Sequence, residues 1–442
     1  MHVSKIQIDL LKKSIDFLKL SKKKKINISA SPLCFLTTWA KNPGNLIINQ
    51  FLDKSRDYKY LIKNILSIGK NFDIKLYSNK KFHYNSNYKL IVSYSSKSNF
   101  NKSGEFYDNY FHISSKNKKY TWLLISLDNY IPKKIENNLV IFAKENRTSY
   151  SFLYLVKKIF LNIFKQNFSP VKIFHNCWYE CDFSAKLNDL FINFFKKKKI
   201  EKTLFNYECI PFQNSLMENI KKKDKTTKVL GYLHCAPWPL QTDLIFRDFF
   251  IDTLFVSSKS QKTVLEKYLK WDKNKIKVIP SLRFTKNKKK EFNNFIFLPY
   301  NLRSHNNYYE RFKNFVSKNP SINFSKFKIR IHPLNKNSQS HQNLKFKFEK
   351  LFIKNRYKSI SRFKNISFFF GSATGVCVQA LEEGTKIIHF PDNEADVFSD
   401  KIWSEIKATY LEKDIYKYTL RRFDRTFWVN FEKQKFKKYI HF

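Results

Sequence analysis

Glycine is scarce in this chain: only 7 of its 442 residues are Gly, so each marks a place where the backbone takes a positive φ or approaches something closely. The glycine-built phosphate fingerprints are missing. There is no G-x-x-x-x-G-K-[ST] loop, no G-x-G-x-x-G turn, no G-x-S-x-G elbow, and no D-x-D pair of the kind that holds a catalytic cation. A P-loop NTPase, a nicotinamide dehydrogenase and a serine hydrolase are disfavoured on that ground. Dense cysteine is missing too. Cys34, Cys177, Cys181, Cys209, Cys235 and Cys377 are scattered, which argues for a reducing compartment rather than a disulfide-stapled fold. His175, Cys177 and Cys181 spell H-x-C-x3-C, but no second Cys/His pair follows at finger spacing. Buried free thiols are favoured over a structural zinc, and no metal site is expected.

Long apolar runs are also absent: none reaches the ~18–20 residues of a membrane span. From Met1 to Leu20 the apolar residues Ile6, Ile8, Leu10, Leu11, Ile15, Leu18 and Leu20 alternate with Lys and Asp, the pattern of an amphipathic helix and not of a signal peptide. The chain is read as cytoplasmic, with peripheral contact at the inner face of an anionic membrane left open.

Acid is in short supply. Asp and Glu number 36 against 83 Lys and Arg, a formal net charge of +47. Such a field favours anionic partners: nucleic acid, phosphorylated sugars or lipid headgroups. Lys is abundant together with Asn, Ile, Phe and Tyr, as codon bias in an AT-rich genome would produce, so much of the excess fits solvated faces. The blocks Lys22–Lys25, Lys196–Lys199 and Lys288–Lys290 fit helix ends or linkers better than a nucleic-acid stripe. Aromatics fall inside apolar segments, not as exposed stacking platforms, which disfavours nucleic-acid binding.

What is present is material for packed interiors, 43% hydrophobic and 17% aromatic. The length fits two domains. Short apolar strands alternate with amphipathic helices, the sign of α/β units with mostly parallel sheets. The strands expected in the first half are Lys89–Tyr94, Trp122–Leu127, Leu139–Ala143, Val171–Phe174, Thr203–Tyr207, Val229–His234 and Thr253–Val256. Helices are expected at Tyr150–Lys165, Ala185–Lys197, Phe212–Lys222 and Lys259–Lys270. The N-terminal unit is placed at residues 1–284, with 1–85 poorly legible, a polar linker at 285–293, and a C-terminal unit at 294–442. In the latter, strands are expected at Phe295–Pro299, Lys328–His332, Ile366–Phe370 and Lys386–Phe390, with closing helices near Asp400–Ile406 and Ile415–Phe423. No repeat of fixed period is present.

Chemistry concentrates at strand ends. After the buried run Ile366–Phe370 comes Gly371-Ser372-Ala373-Thr374-Gly375, then a helix. Small residues there let backbone N–H groups approach a ligand, hydroxyls add donors, and the positive helix end favours a phosphate; Ser372 or Thr374 capping the helix is the plainer alternative. Glu382, near the end of that helix, is either a ribose acceptor or a solvated residue. His332-Pro333 closes the strand before it, where the imidazole can meet a phosphate; Arg330, two residues earlier, lies on the same strand face and is a second candidate donor. In the N-terminal unit Glu208 follows one strand, His234 ends the next, and Asp182 stands at a helix head. Either carboxylate is a candidate general base, with His234 serving in that role or assisting, or simply a helix-dipole partner. Arg283 stands near the junction, as a ligand contact or an interdomain ion pair.

The segments Tyr207-Glu-Cys-Ile-Pro-Phe-Gln-Asn214, Lys228–His234, Phe255–Ser258 and Lys277–Pro280 resemble the N-domain segments of bacterial surface-carbohydrate biosynthesis proteins of the GT-B fold. His332-Pro333 and Ser372-Ala-Thr374 are similar to the His-Pro and Ser-Ser/Thr motifs of bacterial sialyltransferases and capsule Kdo transferases. The resemblance implies two Rossmann-like domains facing across a cleft. It implies transfer of a sugar, inverting and without metal or other cofactor, from a nucleotide sugar, CMP-linked in those families, to a surface-glycan or lipid-linked acceptor. It gives the nucleotide to His332, Pro333 and Gly371–Gly375, and the proton to an acidic residue of the other domain. The alternatives are a sugar-nucleotide epimerase or glycerophosphotransferase of the same architecture, a relative that only binds glycan, or a basic nucleic-acid-binding protein.

Overall fold

The computed structural model describes residues 2–23, 72–82, 88–146, 179–235, 237–240, 242–245, 250–281, 294–299, 305–319, 327–354, 365–371, 375–392, 394–412 and 414–421, with a few more between 152 and 160. An N-terminal helix α1 (His2–Lys23) precedes an eight-stranded sheet. Its strands are β1 (Phe72–Ser78), β2 (Tyr88–Ser95), and, after a small ribbon of β3 (Tyr107–Asp108) and β4 (Ile113–Ser114), β5 (Thr121–Ser126), β6 (Leu139–Asn146), β7 (Ile200–Tyr207), β8 (Lys228–Leu233), β9 (Thr253–Val256) and β10 (Ile276–Val278). The spatial order is β1-β6-β5-β2-β7-β8-β9-β10. Every pairing is parallel except β1 on β6.

Parallel strands covered on both faces read as continuous apolar runs, and β5 is buried at every position. The covering helices are α2 (Tyr179–Phe195), α3 (Pro211–Lys223) and α4 (Lys259–Lys267). From β2 the chain builds outward through β5 and β6, then crosses to β7 on the other side of β2. Strand order therefore reverses between β2 and β7, and ligands in such sheets bind at the carboxyl edge of that reversal.

The second sheet repeats the plan. β11 (Phe295–Leu298), α5 (His305–Lys318), β12 (Lys328–Ile331), α6 (Gln339–Lys354), β13 (Ile366–Phe370), α7 (Gly375–Glu382), β14 (Lys386–Phe390), β15 (Ile406–Glu412) and β16 (Ile415–Leu420) follow in order. They arrange as β12-β11-β13-β14-β16-β15. The first four are mutually parallel, and order reverses between β11 and β13. The molecule is thus an α/β protein of two Rossmann-like units.

The closing helices expected near 400–406 and 415–423 are not there; 406–412 and 415–420 form an antiparallel hairpin on β14. Tyr416 and Tyr418 are buried with Lys417 between them less so, a period of two that the interspersed Lys and Glu obscured. Asp414 takes φ +55° in the tight turn. The antiparallel edge strand β1 also went unread, because it lies in a polar, Asn- and Lys-rich stretch. The expected strand 171–174, most of the helix 150–165 and the linker 285–293 lie outside the described residues.

One continuous apolar cluster includes side chains of both sheets, from Phe205 and Leu254 to Phe369 and Trp403. Fully buried Trp403 donates its indole N–H to Pro239 O (2.8 Å), and Tyr268 donates to Lys401 O (2.9 Å). α1 buries Val3, Leu11 and Leu18. Its Gln7 amide donates to Glu394 O and Val397 O, and Ser4 meets Ser399 (2.5 Å). The helix that opens the first unit in sequence is therefore bonded to the 394–399 segment of the second.

Candidate functional site

The first cluster sits at the reversal point of the larger sheet. β7 ends at Tyr207, and the turn to α3 is held by that helix's own first residues. Pro211 takes its first position, where a missing N–H costs nothing. Gln213 accepts from Glu208 N (2.8 Å) and donates to Asn206 O (2.5 Å). Asn214 accepts from Tyr207 OH (3.0 Å) and donates to Cys209 O (3.1 Å). Between them Cys209 is forced to φ +62°, a conformation that costs a non-glycine residue about 1–3 kcal/mol and persists only where surrounding bonds over-determine it.

That turn presents the Glu208 carboxylate to the ends of two neighbouring strands. Oε1 stands 3.0 Å from His234 Nε2, just past β8, and accepts from Cys235 Sγ at 3.4 Å. Oε2 accepts from Tyr94 OH at 3.3 Å, near the end of β2, and Gln213 donates to that hydroxyl in turn (3.4 Å). His234 is buried with the Tyr110 ring edge-on at 4.6 Å, while 31% of the Glu208 side chain remains exposed. Burial pushes the Glu208 carboxyl up, but the His234 bond and charge, then Cys235 and Tyr94, outweigh it and hold it below its usual range. Burial, then the Glu208 charge, drives the Tyr94 phenol far above its ordinary value. The arrangement is an ionised carboxylate, oriented by three donors, with one side open.

The second cluster sits at the carboxyl edge of the smaller sheet. His332 N extends the β11–β12 pairing by bonding Leu298 O (2.9 Å), which brings the half-buried imidazole to the edge. Pro333 is exposed and opens a short 3-10 turn to Asn335. Buried His341, in the first turn of α6, contacts Pro299 O (3.0 Å), Asn335 Nδ2 (2.9 Å), Ser338 Oγ (3.1 Å) and His305 Nε2 (3.4 Å). Burial, then the neighbouring His341, pulls both His332 and His305 below the usual imidazole range.

Across the reversal, Gly371 takes φ +69° after β13, where its N–H donates to Phe390 O (2.9 Å). Its carbonyl accepts from His389 Nε2 (2.6 Å), and His389 Nδ1 meets Tyr418 OH at 3.0 Å. Complete burial holds His389 down to about 4, so this imidazole is neutral and its two nitrogens are assigned: one donates, one accepts.

The structure brings Glu208 and His234 together, and sets His332, Gly371 and Gly375 along one sheet edge. Arg330 does not join them. Exposed, it lays its guanidinium over the Phe295 ring (4.3 Å), at the amino end of β11 and away from that edge. Glu382 is the last residue of α7, about 10 Å from Gly375 by helix rise, with Gly384 at φ +79° capping the helix. Asp182 lies in the first turn of α2, and its side chain is not among the described ones. Ser372, Ala373, Thr374 and Arg283 lie outside the described residues. Tyr94, Gln213, Cys235, His305, His341 and His389 were not foreseen; only Cys235, adjacent to His234, carried a local signal. A cavity of about 470 Å³ beside α5 and the end of β14 touches neither cluster. Its Arg311 is bonded to Pro391 O and Asp414 O.

Fold and sites together define a two-unit α/β protein with a polar cluster at the carboxyl edge of each sheet. No family model matches the sequence, and no curated protein matches it. Among solved structures it is similar to the UDP-GlcNAc 2-epimerase of Methanocaldococcus jannaschii, with 13% identity and a TM-score of 0.34 over 70% of this chain and 85% of that one. It is also similar to the wall teichoic acid polymerase TagF, with 8% identity and a TM-score of 0.30 over 67% of this chain and 68% of that one.

Proposed function

We propose that the protein is a glycosyltransferase that moves a sugar from a nucleotide-sugar donor to a hydroxyl of a surface-glycan or lipid-linked acceptor, with inversion and without a catalytic cation. The observation that carries this reading is the Glu208–His234 pair at the reversal point of the larger sheet. There a partly open carboxylate is held ionised by a buried imidazole 3.0 Å away. Glu208 takes the acceptor hydroxyl's proton as that oxygen attacks the anomeric carbon; the bond to the nucleotide phosphate breaks and its electron pair leaves with the phosphate. Charge growing on the phosphate is met by His332, by backbone donors of segment 371–375, by the Ser372 and Thr374 hydroxyls and by the positive end of α7. Asp182 is the second choice of base, Arg283 a further contact to the phosphate, and the donor is CMP-linked if the motif likeness holds. No helix among the described residues is long and apolar enough to cross a membrane.

A thermal-shift panel of CMP, CDP, UDP and GDP tests the nucleotide half on wild type and on His332→Ala. One nucleotide should raise the melting temperature of wild type and do so much less in the variant. No response to any nucleotide, or an equal response in both proteins, sinks the assignment.

A further inference from the structure

We propose that Glu208, His234 and Cys235 form a three-ligand site for a soft divalent cation of the zinc class, and that occupancy of this site switches the base off. The binding claim stands on geometry alone; the switching claim rests on the function proposed above. Three different ligand atoms converge at the ends of β7 and β8. Glu208 Oε1 and His234 Nε2 are 3.0 Å apart, Cys235 Sγ is 3.4 Å from Oε1, and Sγ is 3.4 Å from Nε2. A tetrahedral zinc with bonds of about 2.0 Å to N and O and about 2.3 Å to S separates its ligands by about 3.3 Å for the N–O edge and about 3.5 Å for the edges to sulfur. The observed triangle is within about 0.3 Å of that on every edge.

Hydrogen bonds account for two of the triangle's three edges. With Glu208 ionised, the three atoms share at most two protons, one on Nε2 and one on Sγ. Three close contacts therefore leave one without a proton. A cation satisfies all three at once through lone pairs. His234 Nδ1 is buried and has no hydrogen-bond partner among the described residues, so no neighbour dictates which ring nitrogen carries the proton. The ring is able to keep its proton on Nδ1 and present Nε2 bare.

The surroundings suit a metal. Tyr94 holds the second carboxylate oxygen and Gln213 holds Tyr94, the outer support that fixes a ligand's orientation. The partial exposure of Glu208 and Cys235 leaves a path from solvent and room for water as the fourth ligand. A thiolate, an imidazole and one carboxylate select zinc-class ions over magnesium or calcium, which want oxygen only. Charges balance: thiolate and carboxylate neutralise the 2+ ion, and the thiol proton goes to solvent on binding. A cation on Oε1 withdraws negative charge from the whole carboxylate, so Glu208 can no longer take the acceptor's proton.

The test is a cobalt(II) titration of the full chain after chelator treatment, read by cobalt–thiolate charge-transfer absorption. One equivalent should bind with that band. Cys235→Ser should abolish the band, and the near-isosteric Glu208→Gln should weaken binding about 10-fold or more, with both variants melting within a few degrees of wild type. A band that persists in Cys235→Ser, or its absence from wild type, overturns the site. Zinc should inhibit transfer and a chelator should restore it. Cobalt binding without inhibition would overturn the switch and, with it, Glu208 as the base, while leaving the metal site standing. No cobalt binding together with an inactive Glu208→Gln would sink the metal site alone.

Discussion

Both sheets carry a polar cluster at the same architectural address, the carboxyl edge beside the strand-order reversal, yet the two are made of different materials. The larger sheet offers a carboxylate whose partners are side chains: His234, Cys235 and Tyr94, with Gln213 behind them. The smaller sheet offers imidazoles pulled toward neutrality by burial, and a glycine whose N–H bonds Phe390 O and whose carbonyl is held by His389. A fixed negative charge suits taking a proton. Neutral donors and backbone N–H groups suit meeting an anion without first having to shed a counter-ion. The same fold thus supplies two frames, and the side chains at two strand ends decide what each one does.

The largest expected effect breaks the first cluster. Glu208→Gln keeps the shape but removes the proton acceptor, and transfer from the donor identified by the nucleotide panel should fall about 10²- to 10⁴-fold with the melting temperature little changed. Retained activity would mean that the two clusters do not divide the chemistry as described.

Next comes the seam between the units. Trp403→Ala removes a fully buried indole and its bond to Pro239 O, and should cost about 3–5 kcal/mol in denaturant unfolding. Two separate transitions in place of one would show that this contact couples the sheets.

Acid should pull the units apart in stability. His389 titrates at about 4 when folded against 6.5 for its ordinary value, so the unfolded chain binds its proton first. Its contribution is full above pH 6.5 and is lost as pH falls from there toward 4, about 3 kcal/mol at most. Asp108, in the first unit, runs the other way. Burial raises it to about 6 from 3.8, against which bonds from Ser93 and from the Phe111 and Tyr110 amides pull it down. Its stabilising share is full below pH 3.8 and is lost as pH rises toward 6, again about 3 kcal/mol at most. Hydrogen exchange at pH 7 and pH 5 should therefore show protection falling in the smaller sheet and holding or rising in the larger. Parallel changes in both would contradict these assignments.

The smallest effect concerns nucleotide binding. Burial lowers the free His332 imidazole, and a bound phosphate would raise it again, so binding takes up a proton and affinity should climb as pH falls. His332→Ala should weaken binding about 10-fold, roughly 1.4 kcal/mol, and flatten that slope, as isothermal titration at several pH values would reveal.

Much of this was legible in the sequence because strand ends carry punctuation. Pro211 after Glu208, Pro333 after His332 and Gly371 after the buried strand Ile366–Phe370 mark where strands stop. What was not legible is contact at long range. Nothing local ties Tyr94 to Glu208, 114 positions later, and the fit of Cys235 between His234 and Glu208 depends on how β7 lies beside β8. Arg330 illustrates the opposite limit. Alternation put it on the right strand face, but Phe295 drew the guanidinium toward the other end of the strand. The β15–β16 hairpin is hidden in the sequence because Lys and Glu among its apolar residues resemble a helical face, while pairing with β14 depends on the sheet.

Ser4 of α1 and its partner Ser399 are 395 positions apart. At ribosomal speeds of about 5–20 residues per second, the partner segment emerges about 20–80 s after the helix. For that interval the Ser4 and Gln7 bonds to the 394–399 segment cannot form, so the seat of α1 on the second unit is completed only late in synthesis.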